Sequence, residues 1–411
     1  VNKGVLRNMA KMGISVLRSY QGSELFTSLG FSQELLDHFF PGRKSIMGGV
    51  GFREVFELLQ KRFDQKDVKN AFFYKEHSKE KMGEVHSLTT QSSRLLHQFV
   101  QNLDQDAWKS FNKRPQLPTN IRHLWKVESP HVPLPMGKTE SLKDILKTFG
   151  SGAMSFGSIS AESQRDIFLA MKEIGGRSNS GEGGENPYYF TEGITASIKQ
   201  MASGRFGVTA EYLVTGKEVQ LKMAQGAKPG EGGQLMGTKV SKEIAKARMA
   251  TEGTDLISPP PMHDIYSIED LKELIYEIKQ LDPNLKVSVK LVSGNNIGAI
   301  ALGVTKAGAD IIQISGGDGG TGAAALMSMK HCGLIWERGL LEVHRVLSEN
   351  GLREQVTLRV DGAIQTAHDV IMGSILGADE FDFGKMLLVA EGCIMARVCE
   401  KNTCPAGIAT Q

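Results

Sequence analysis

The sequence has little cysteine, little net charge and no long apolar run. Its 411 residues include four cysteines and carry a formal net charge of +2. So few cysteines exclude a disulfide scaffold and favour a reducing, cytoplasmic setting. The balanced charge, without a dense basic stripe, argues against nucleic acid as a partner. No apolar run reaches about 18 residues and no secretory leader is recognisable, so we expect no membrane association.

The sequence does contain enough apolar material for a large core. It is 40% hydrophobic and 23% charged, the composition of a globular protein. Its length predicts one large domain with an appendage, or two or three domains. Because the chain begins at Val1 and ends at Gln411, soon after Cys404, we expect a segment of a longer protein or a processed product.

Short apolar runs alternate with helical stretches in the second half of the chain. The predicted strands are "VSVKLV" (287–292), "DIIQIS" (310–315), "QVTLRVDG" (355–362) and "DEFDFG" (379–384). The predicted helices between them are "GAIALGVTKAGA", "GAAALMSM" and "TAHDVIMGSILGA". This alternation indicates parallel βα units.

Further units are expected upstream. "SGAMSFGS" (151–158) predicts a strand and turn, followed by a helix from Ser160. Ser267 and Asp270 in "SIED" predict a capped helix that runs to about Gln280. Residues 141–411 can therefore hold eight units, enough for a (β/α)8 TIM-type barrel of the α/β class.

Residues 1–140 differ from the predicted barrel at 141–411. We expect a mixed or mostly helical segment, with helices in "QELLDHFF" and "FREVFELLQKRF". The Pro-rich stretch "NKRPQLPTNIRHLWKVESPHVPLP" predicts an extended connection to the barrel.

Glycines cluster in four places: "SGEGGE" (180–185), "AKPGEGGQ" (227–234), "SGGDGGTG" (315–322), and "VDGAI" with "FGK" (360–364 and 383–385). Glycine lets a backbone approach a ligand closely and offer its N–H groups. Each loop alone could equally be a tight βα turn. Together, with the last two at predicted strand ends, they favour one shared ligand site. "GDGGTG" matches the dinucleotide fingerprint, but it follows earlier βα units instead of opening the fold.

Three of the four cysteines lie close together near the end of the sequence. Cys393, Cys399 and Cys404 have the spacing C-x5-C-x4-C, with Pro405 after the last. Structural zinc sites usually show paired C-x2-C knuckles, whereas three thiolates in one loop suit a soft metal or an iron–sulfur cluster. The alternative is three unrelated buried thiols. Cys332, beside apolar residues, is predicted to lie in the core.

Together these motifs resemble the FMN-binding synthase domain of the glutamate synthase large (α) subunit. The resemblance is dense from about residue 145 and rests on "GAMSFGSIS", "IGGRSNSGEGGENP", "IKQMASGRFGVTAEYL", "AQGAKPGEGGQLMGTKV", "LISPPPMHDIYSIEDL", "ADIIQISGGDGGTGA" and "GCIMARVCEKNTCPAGIATQ". "MAKMGISVLRSYQGSELFTSLGF" is similar to the end of that family's central domain.

The resemblance implies an oxidoreductase. The family makes L-glutamate from 2-oxoglutarate and ammonia with reduced FMN, and a [3Fe-4S] cluster feeds electrons to the flavin. By motif, Cys393, Cys399 and Cys404 match the three cluster ligands. The electron donor would be ferredoxin or a pyridine-nucleotide-dependent small subunit.

The resemblance also implies site residues. Lys228 and Glu182 would be catalytic, and Lys228, Gln234 and Arg248 would bind 2-oxoglutarate. The FMN contacts would be Met154, Ser155, Gln225, Lys290, Ser315, Gly316, Gly317, Gly319, Gly320, Asp361, Gly362, Gly384 and Lys385.

The chemistry of three cations fits this assignment. A keto dicarboxylate needs cationic clamps, and a guanidinium matches carboxylate geometry. Arg248 follows Ile244 by four residues on a predicted helix and so shares its inward face. A cation there is either paired structurally or available to an anion, and the nearby Lys228 favours the anion. Lys290 would stabilise the anionic reduced flavin, unless it forms a structural ion pair.

The chain departs from the family pattern in several places. Only "YYFTEGITAS" separates "GGENP" from "IKQ", where the family segment is usually longer, and Gln21 stands where the family tends to have arginine. The amidotransferase domain, with its amino-terminal cysteine, and the β-helix domain lie outside this sequence. We therefore expect the nitrogen source to be free ammonia and not glutamine.

Two other interpretations stay open. Another FMN-dependent barrel oxidoreductase would share the glycine loops, but it would not need the cysteine spacing. A non-catalytic flavin-binding paralogue or fragment is favoured by the short segment after Pro187.

Overall fold

The computed structural model describes residues 2–11, 14–21, 27–64, 86–113, 119–129, 131–260, 262–322, 324, 328–329 and 332–411. The chain falls into two units, Val1–His86 and Ser87–Gln411. Within the described ranges, no helix combines the length and apolar character needed to cross a bilayer.

The first unit is built from helices. They are α1 (Asn2–Lys11), α2 (Leu17–Tyr20), α3 (Gln33–Phe39) and α4 (Phe52–Asp64). Helix α3 begins where the Ser32 side chain accepts a hydrogen bond from the backbone N–H of Leu35, a local cap. The helices predicted in "QELLDHFF" and "FREVFELLQKRF" are confirmed, and Gln21 lies at the carboxyl end of α2.

Helices also lead from Ser87 to the barrel. Helices α5 (Thr90–Asn102) and α6 (Gln105–Lys113) contribute Leu96 and Phe111 to a cluster with Val389. Short 3-10 turns at Ile121–Leu124 and Met136–Lys138 precede α7 (Leu142–Lys147). The connection at 112–135, predicted to be extended, therefore contains a helical turn at Ile121–Leu124, and Arg122 of this turn is buried. Residues 114–118 and 130 of the connection lie outside the described residues. The boundary at residue 140 stays a prediction.

Seven strands of the second unit form one parallel sheet. They are β1 (Phe149–Ser151), β2 (Ile198–Met201), β3 (Glu218–Lys222), β6 (Lys286–Val292), β7 (Ile311–Ser315), β8 (Thr357–Asp361) and β9 (Glu380–Phe383). Their order in the sheet is β1-β9-β8-β7-β6-β3-β2. Short β4 (Gly233–Leu235) and β5 (Leu256–Ser258) form a separate antiparallel pair.

Residues 177–179 close this sheet into a barrel. Arg177 bridges Gly150 of β1 and Asn179 bridges Ile198 of β2, both in parallel. The N–H of Arg177 donates to the carbonyl of Phe149 (2.9 Å), and the N–H of Ile198 donates to the carbonyl of Ser178 (2.8 Å). The described part of the chain thus supplies eight parallel segments in chain order, as a (β/α)8 barrel requires, and the predicted fold class is confirmed.

Helices separate the barrel segments along the chain. They are α8 (Ala161–Ile174), α9 (Pro187–Glu192), α10 (Ala210–Val214), α11 (Lys242–Arg248), α12 (Ile268–Leu281), α13 (Ile297–Lys306), α14 (Trp336–Glu349), α15 (Ala367–Ile375) and α16 (Lys385–Ala390). Ser160 caps α8, and Ser267 and Asp270 form the predicted capping box of α12. Half of the helix predicted in "GAAALMSM" (322–329) lies outside the described residues, at 323 and 325–327.

The predicted strands at 287–292, 310–315, 355–362 and 379–384 are confirmed as β6 to β9. Strand β6 begins one residue earlier than predicted, and β7, β8 and β9 are shorter than predicted. Of the strand and turn predicted at 151–158, the turn is confirmed, but the strand lies earlier, at Phe149–Ser151. The N–H groups of Ser158 and Ile159 both donate to the carbonyl of Ser155, and that turn leads directly into the cap of α8.

Alternation along the strands divides apolar from polar side chains. Val287, Val289, Ile312 and Ile314 belong to the main apolar cluster together with Leu340 of α14. The residues between them are polar and buried, including Ser288 and Gln313. Arg359 forms ion pairs with Glu218 (2.7 Å) and Glu380 (2.7 Å). Glu218 and Glu380 are the first residues of β3 and β9, so these ion pairs hold the barrel interior together at the end opposite the candidate site.

Candidate active site

Glycine loops follow the last three strands of the barrel. A Cβ atom on Gly316, after β7, would lie 2.9 Å from the backbone nitrogen of Trp336. Gly362, after β8, has a φ of +122°, and a Cβ there would lie 3.0 Å from the Cα of Gly316. Both positions therefore require glycine. A Cβ on Gly384, after β9, would meet nothing within 4 Å, so this backbone is open to a ligand.

Polar side chains join the ends of β6, β7 and β8. Nζ of Lys290 lies 2.6 Å from Oδ2 of Asp361, and Nε2 of Gln313 donates to the same oxygen (2.8 Å). The hydroxyl of Ser315 donates to Oδ1 of Asp361. Lys290 therefore forms the structural ion pair that the sequence analysis gave as its alternative role. Its partner, Asp361, is itself a predicted flavin contact.

The other predicted flavin contacts surround the same mouth. Nε2 of Gln225 donates to the carbonyl of Gly320 (2.9 Å), and a Cβ on Gly320 would lie 3.8 Å from Cγ of Lys385. Burial lowers the pKa of Lys385 from its ordinary value, an effect that Asp318 opposes. The remaining contacts lie in the loops after β1 and β7: Met154, Ser155, Gly317 and Gly319.

A cleft opens at the carboxyl ends of the early strands, with Glu182, Lys222, Gln225 and Lys228 in its lining. Nζ of Lys222 lies 3.3 Å from Oε1 of Glu182. Burial raises the pKa of Glu182, but Lys222 and Arg248 more than offset this and lower it below its ordinary value. Burial, with the charge of Lys222, lowers the pKa of Lys228. The cleft thus brings a carboxylate together with two lysines.

Lys222 was not predicted as a site residue. It is the last residue of β3, in the run "EVQLK". Catalytic groups of barrel enzymes sit at the carboxyl ends of strands. Its position at the end of a barrel strand could have identified Lys222 as a site residue, although it belongs to no recognised motif.

Arg248 and Gln234 lie outside the cleft lining. Arg248 is 4% exposed, and its Nη2 donates to Ser155 Oγ (3.1 Å) and to the carbonyl of Phe156 (3.0 Å). Its Nε has no hydrogen-bond partner among the described residues, and burial lowers its pKa to about 10. Gln234 is exposed on β4, where its neighbour Gly233 faces Glu182. Lys228 and Glu182 therefore share the cleft lining, Arg248 contacts the Glu182 carbonyl from behind it (3.3 Å), and Gln234 is not part of the lining.

The three clustered cysteines lie near one another. Burial raises the pKa values of the Cys393 and Cys399 thiols, and the charge of Cys404 raises both further. Across the described ranges, no three ligating side chains converge as the ligands of one metal ion would. In an iron–sulfur cluster each thiolate binds its own iron, so wider spacing is expected. The donor set, three adjacent thiols, therefore fits a cluster in its chemistry.

Three hydrogen bonds attach the cysteine loop to the barrel mouth. Nζ of Lys239 donates to the carbonyl oxygens of Cys399 (3.0 Å) and Ser158 (2.7 Å). Nδ2 of Asn402 donates to the carbonyl of Thr238 (3.0 Å). The thiols are thereby held next to the loop that follows β1.

These features define a (β/α)8-barrel protein with glycine loops, a lysine-lined cleft and a cysteine loop at one mouth. Residues 86–411 match the family described as "Conserved region in glutamate synthase", and residues 1–32 match "Glutamate synthase central domain". The chain belongs to the glutamate synthase family.

Similar proteins include glutamate synthases named as ferredoxin-dependent and others named as NADPH large chains. The chain is 46% identical over 442 residues to the ferredoxin-dependent glutamate synthase of Pyropia yezoensis, covering 100% of the chain and 29% of that protein. It is 44% identical over 428 residues to the glutamate synthase [NADPH] large chain of Bacillus subtilis, covering 100% of the chain and 28% of that protein. The chain thus spans less than a third of the length of these relatives.

Proposed function

We propose that this chain carries the synthase activity of a glutamate synthase, an oxidoreductase that converts 2-oxoglutarate and ammonia to L-glutamate. The observation that carries the proposal is the cleft in which Glu182 meets Lys222 and Lys228 at the carboxyl ends of the barrel strands. A doubly charged keto acid suits two lysines, and a carboxylate between them suits proton transfer.

The residues at the mouth would hold FMN. The phosphate would bind the backbone N–H groups of the loops at Gly316–Gly320, Gly362 and Gly384, because glycine loops after the last barrel strands suit phosphate. Lys290 and Asp361 would face the ring system with Met154, Ser155 and Gln225. When bound, FMN would supply the hydride for the reduction at C2 of the substrate.

The side chains of the cleft would divide the remaining work. Lys222 and Lys228 would bind the substrate carboxylates, and the unpartnered Nε of Arg248 offers a further donor if the Glu182 loop shifts. Ammonia attacks C2, and Glu182, ionised because its pKa is lowered, would accept a proton from the new C–N group. Lys228, whose pKa is lowered by burial, would donate one proton to the C2 oxygen, and Glu182 would pass on the proton that it accepted. The oxygen then leaves as water and an iminium remains at C2. Gln234 stays a proposed substrate ligand on the resemblance alone.

Cys393, Cys399 and Cys404 would hold a [3Fe-4S] cluster, which would supply electrons at the mouth. Their adjacency and their attachment through Lys239 support this assignment. The electron donor would be ferredoxin or a pyridine-nucleotide-dependent small subunit, since the relatives are named for both. An amidotransferase domain and a β-helix domain of a longer chain are further proposed partners, and a cytoplasmic location stays a prediction.

Glutamate formation by the purified chain tests the proposal. The chain is incubated with FMN, 2-oxoglutarate, ¹⁵N-ammonium and reduced methyl viologen, and labelled glutamate is measured by mass spectrometry. Lys228→Met should lower the rate about 100-fold or more. Lys272→Met, exposed on α12, is the matched control and should leave the rate unchanged. Flavin binding without glutamate formation would instead favour another FMN oxidoreductase or a non-catalytic protein.

A further inference from the structure

Arg122 is a buried arginine that reaches the barrel from the turn Ile121–Leu124. It is 1% exposed. Its Nε donates to Oδ1 of Asp369 (2.5 Å), its Nη1 to Oε1 of Glu337 (2.7 Å) and its Nη2 to the carbonyl of Ala363 (2.8 Å). Its guanidinium also lies 5.3 Å from the ring centre of Trp336. One side chain thus binds the structures that follow β7 and β8.

The carbonyl that Arg122 binds belongs to an unusual residue. Ala363 has a φ of 63°, in the left-handed region, directly after Gly362 with a φ of +122°. A side chain with a Cβ rarely adopts this conformation, because Cβ approaches the following carbonyl oxygen. The hydrogen bond from Nη2 therefore holds a backbone shape that alanine would not adopt by itself.

Trp336 forms the wall behind both glycine loops. A Cβ on Gly316 would lie 2.9 Å from its backbone nitrogen, and one on Gly362 would lie 3.3 Å from its Cδ1. Arg122 covers the Trp336 ring and binds the adjacent Glu337. The same guanidinium therefore fixes the wall and the loop that packs on it.

Arg122 also balances charge beside these loops. Asp369 and Glu337 are both almost fully buried, and Asp318, in the loop after β7, adds a third carboxylate close to Glu337. Without the guanidinium, buried negative charge would remain next to loops that are proposed to bind a phosphate. An uncompensated charge of this kind is costly, and it repels an anion.

We propose that Arg122 is a positioning residue that shapes the loops at 316–320 and 361–364 for the phosphate group of the flavin. It touches neither the cleft nor the flavin contacts themselves, and it acts through Ala363, Trp336 and Glu337. The inference rests on the proposed FMN site and adds to it a residue from outside the barrel strands.

Flavin titration of the full chain, stripped of flavin, tests the role. Dissociation constants for FMN and for riboflavin, which lacks the phosphate, are measured by fluorescence quenching. Arg122→Met should weaken FMN binding on the order of tenfold or more, while riboflavin binding changes less than about twofold. Arg345→Met, an exposed arginine on α14 that pairs with Glu349, is the control and should change neither constant.

Ala363→Gly provides a rescue, because glycine adopts the left-handed conformation without support. Adding it to Arg122→Met should recover part of the lost FMN affinity. Equal losses for FMN and riboflavin, or no loss for either, would overturn the proposal. If wild-type chain binds no flavin, the FMN site itself is refuted. In that case, amide hydrogen exchange at 316–320 and 361–364 tests the positioning role without flavin. Faster exchange in Arg122→Lys than in the wild-type chain supports the role, and unchanged exchange overturns it.

Discussion

Lys290 of β6 and Asp361 of β8 are joined across the barrel mouth, with 2.6 Å between Nζ and Oδ2. The intervening strand β7 contributes Gln313 and Ser315 to the same carboxylate. This arrangement keeps the lysine charge buried and fixed at the site proposed for the flavin ring, and the carboxylate compensates the cost of burying it.

The charge of Lys290 should affect flavin reduction. We expect Lys290→Met to make the flavin midpoint potential more negative by roughly 30 mV, because the anionic reduced form loses a nearby cation. Spectroelectrochemical titration of the FMN-loaded chain measures this shift. Lys286→Met, at the exposed end of the same strand, should leave the potential unchanged. An unchanged potential in Lys290→Met would show that the lysine only forms a structural ion pair with Asp361 and does not affect the flavin.

Substitution of two lysines near the two ends of β3 should affect the KM for 2-oxoglutarate differently. Lys222→Met should raise the KM for 2-oxoglutarate about tenfold or more, because it removes a cation facing the substrate carboxylates. Lys217→Met, just before the strand at its other end, should not. Steady-state rates over a range of 2-oxoglutarate concentrations measure both. Equal KM values for the two variants would remove Lys222 from the proposed site.

Serine at Cys393, Cys399 or Cys404 should abolish iron binding. Each thiolate is expected to bind one iron of the cluster, so that losing one ligand opens it. Iron content, visible absorption and the oxidised-state EPR signal of the purified variants report the loss. Cys332→Ser, outside the cysteine loop, should retain all three signals. Full iron content in the three loop variants would mean that these cysteines do not hold a cluster.

Asp382 should make the stability of the barrel depend on pH. Burial raises its pKa to about 7 from an ordinary value of 3.8, although Arg359 and Arg177 oppose the shift. The folded state therefore holds a proton between these pH values that the unfolded state releases. As a result, the free energy of unfolding falls as pH rises through that window, by up to about 1.4 kcal/mol per pH unit.

Asp382→Asn should remove this dependence. Asparagine can still accept the hydrogen bond that Gln313 donates to Asp382 (3.0 Å), and it does not ionise. Urea unfolding at pH 5, 6, 7 and 8 should show a flatter profile for the variant and greater stability at pH 8. Asp106→Asn, at an exposed carboxylate, should keep the wild-type slope. A wild-type slope in Asp382→Asn would assign the dependence to other groups.

Local signals in the sequence were sufficient for much of the fold. Strands β6 to β9 carry apolar runs of strand length, and the cap of α12 depends on Ser267 and Asp270, three residues apart. The barrel segment at 177–179 was not predicted, because "RSN" has no apolar run and its pairing depends on β1 and β2. The β4–β5 pair was missed as well, since its partners lie more than twenty residues apart.

By itself, the sequence determined the barrel class, the family, and the position of the glycine and cysteine loops, because these features depend on residue type and short spacing. Only the tertiary structure decided that Lys222 faces Glu182, that Gln234 is exposed outside the cleft lining, and that Arg122 supports Ala363 from 241 residues away. Such contacts join distant segments whose directions are set by the closure of the barrel. No local pattern records them.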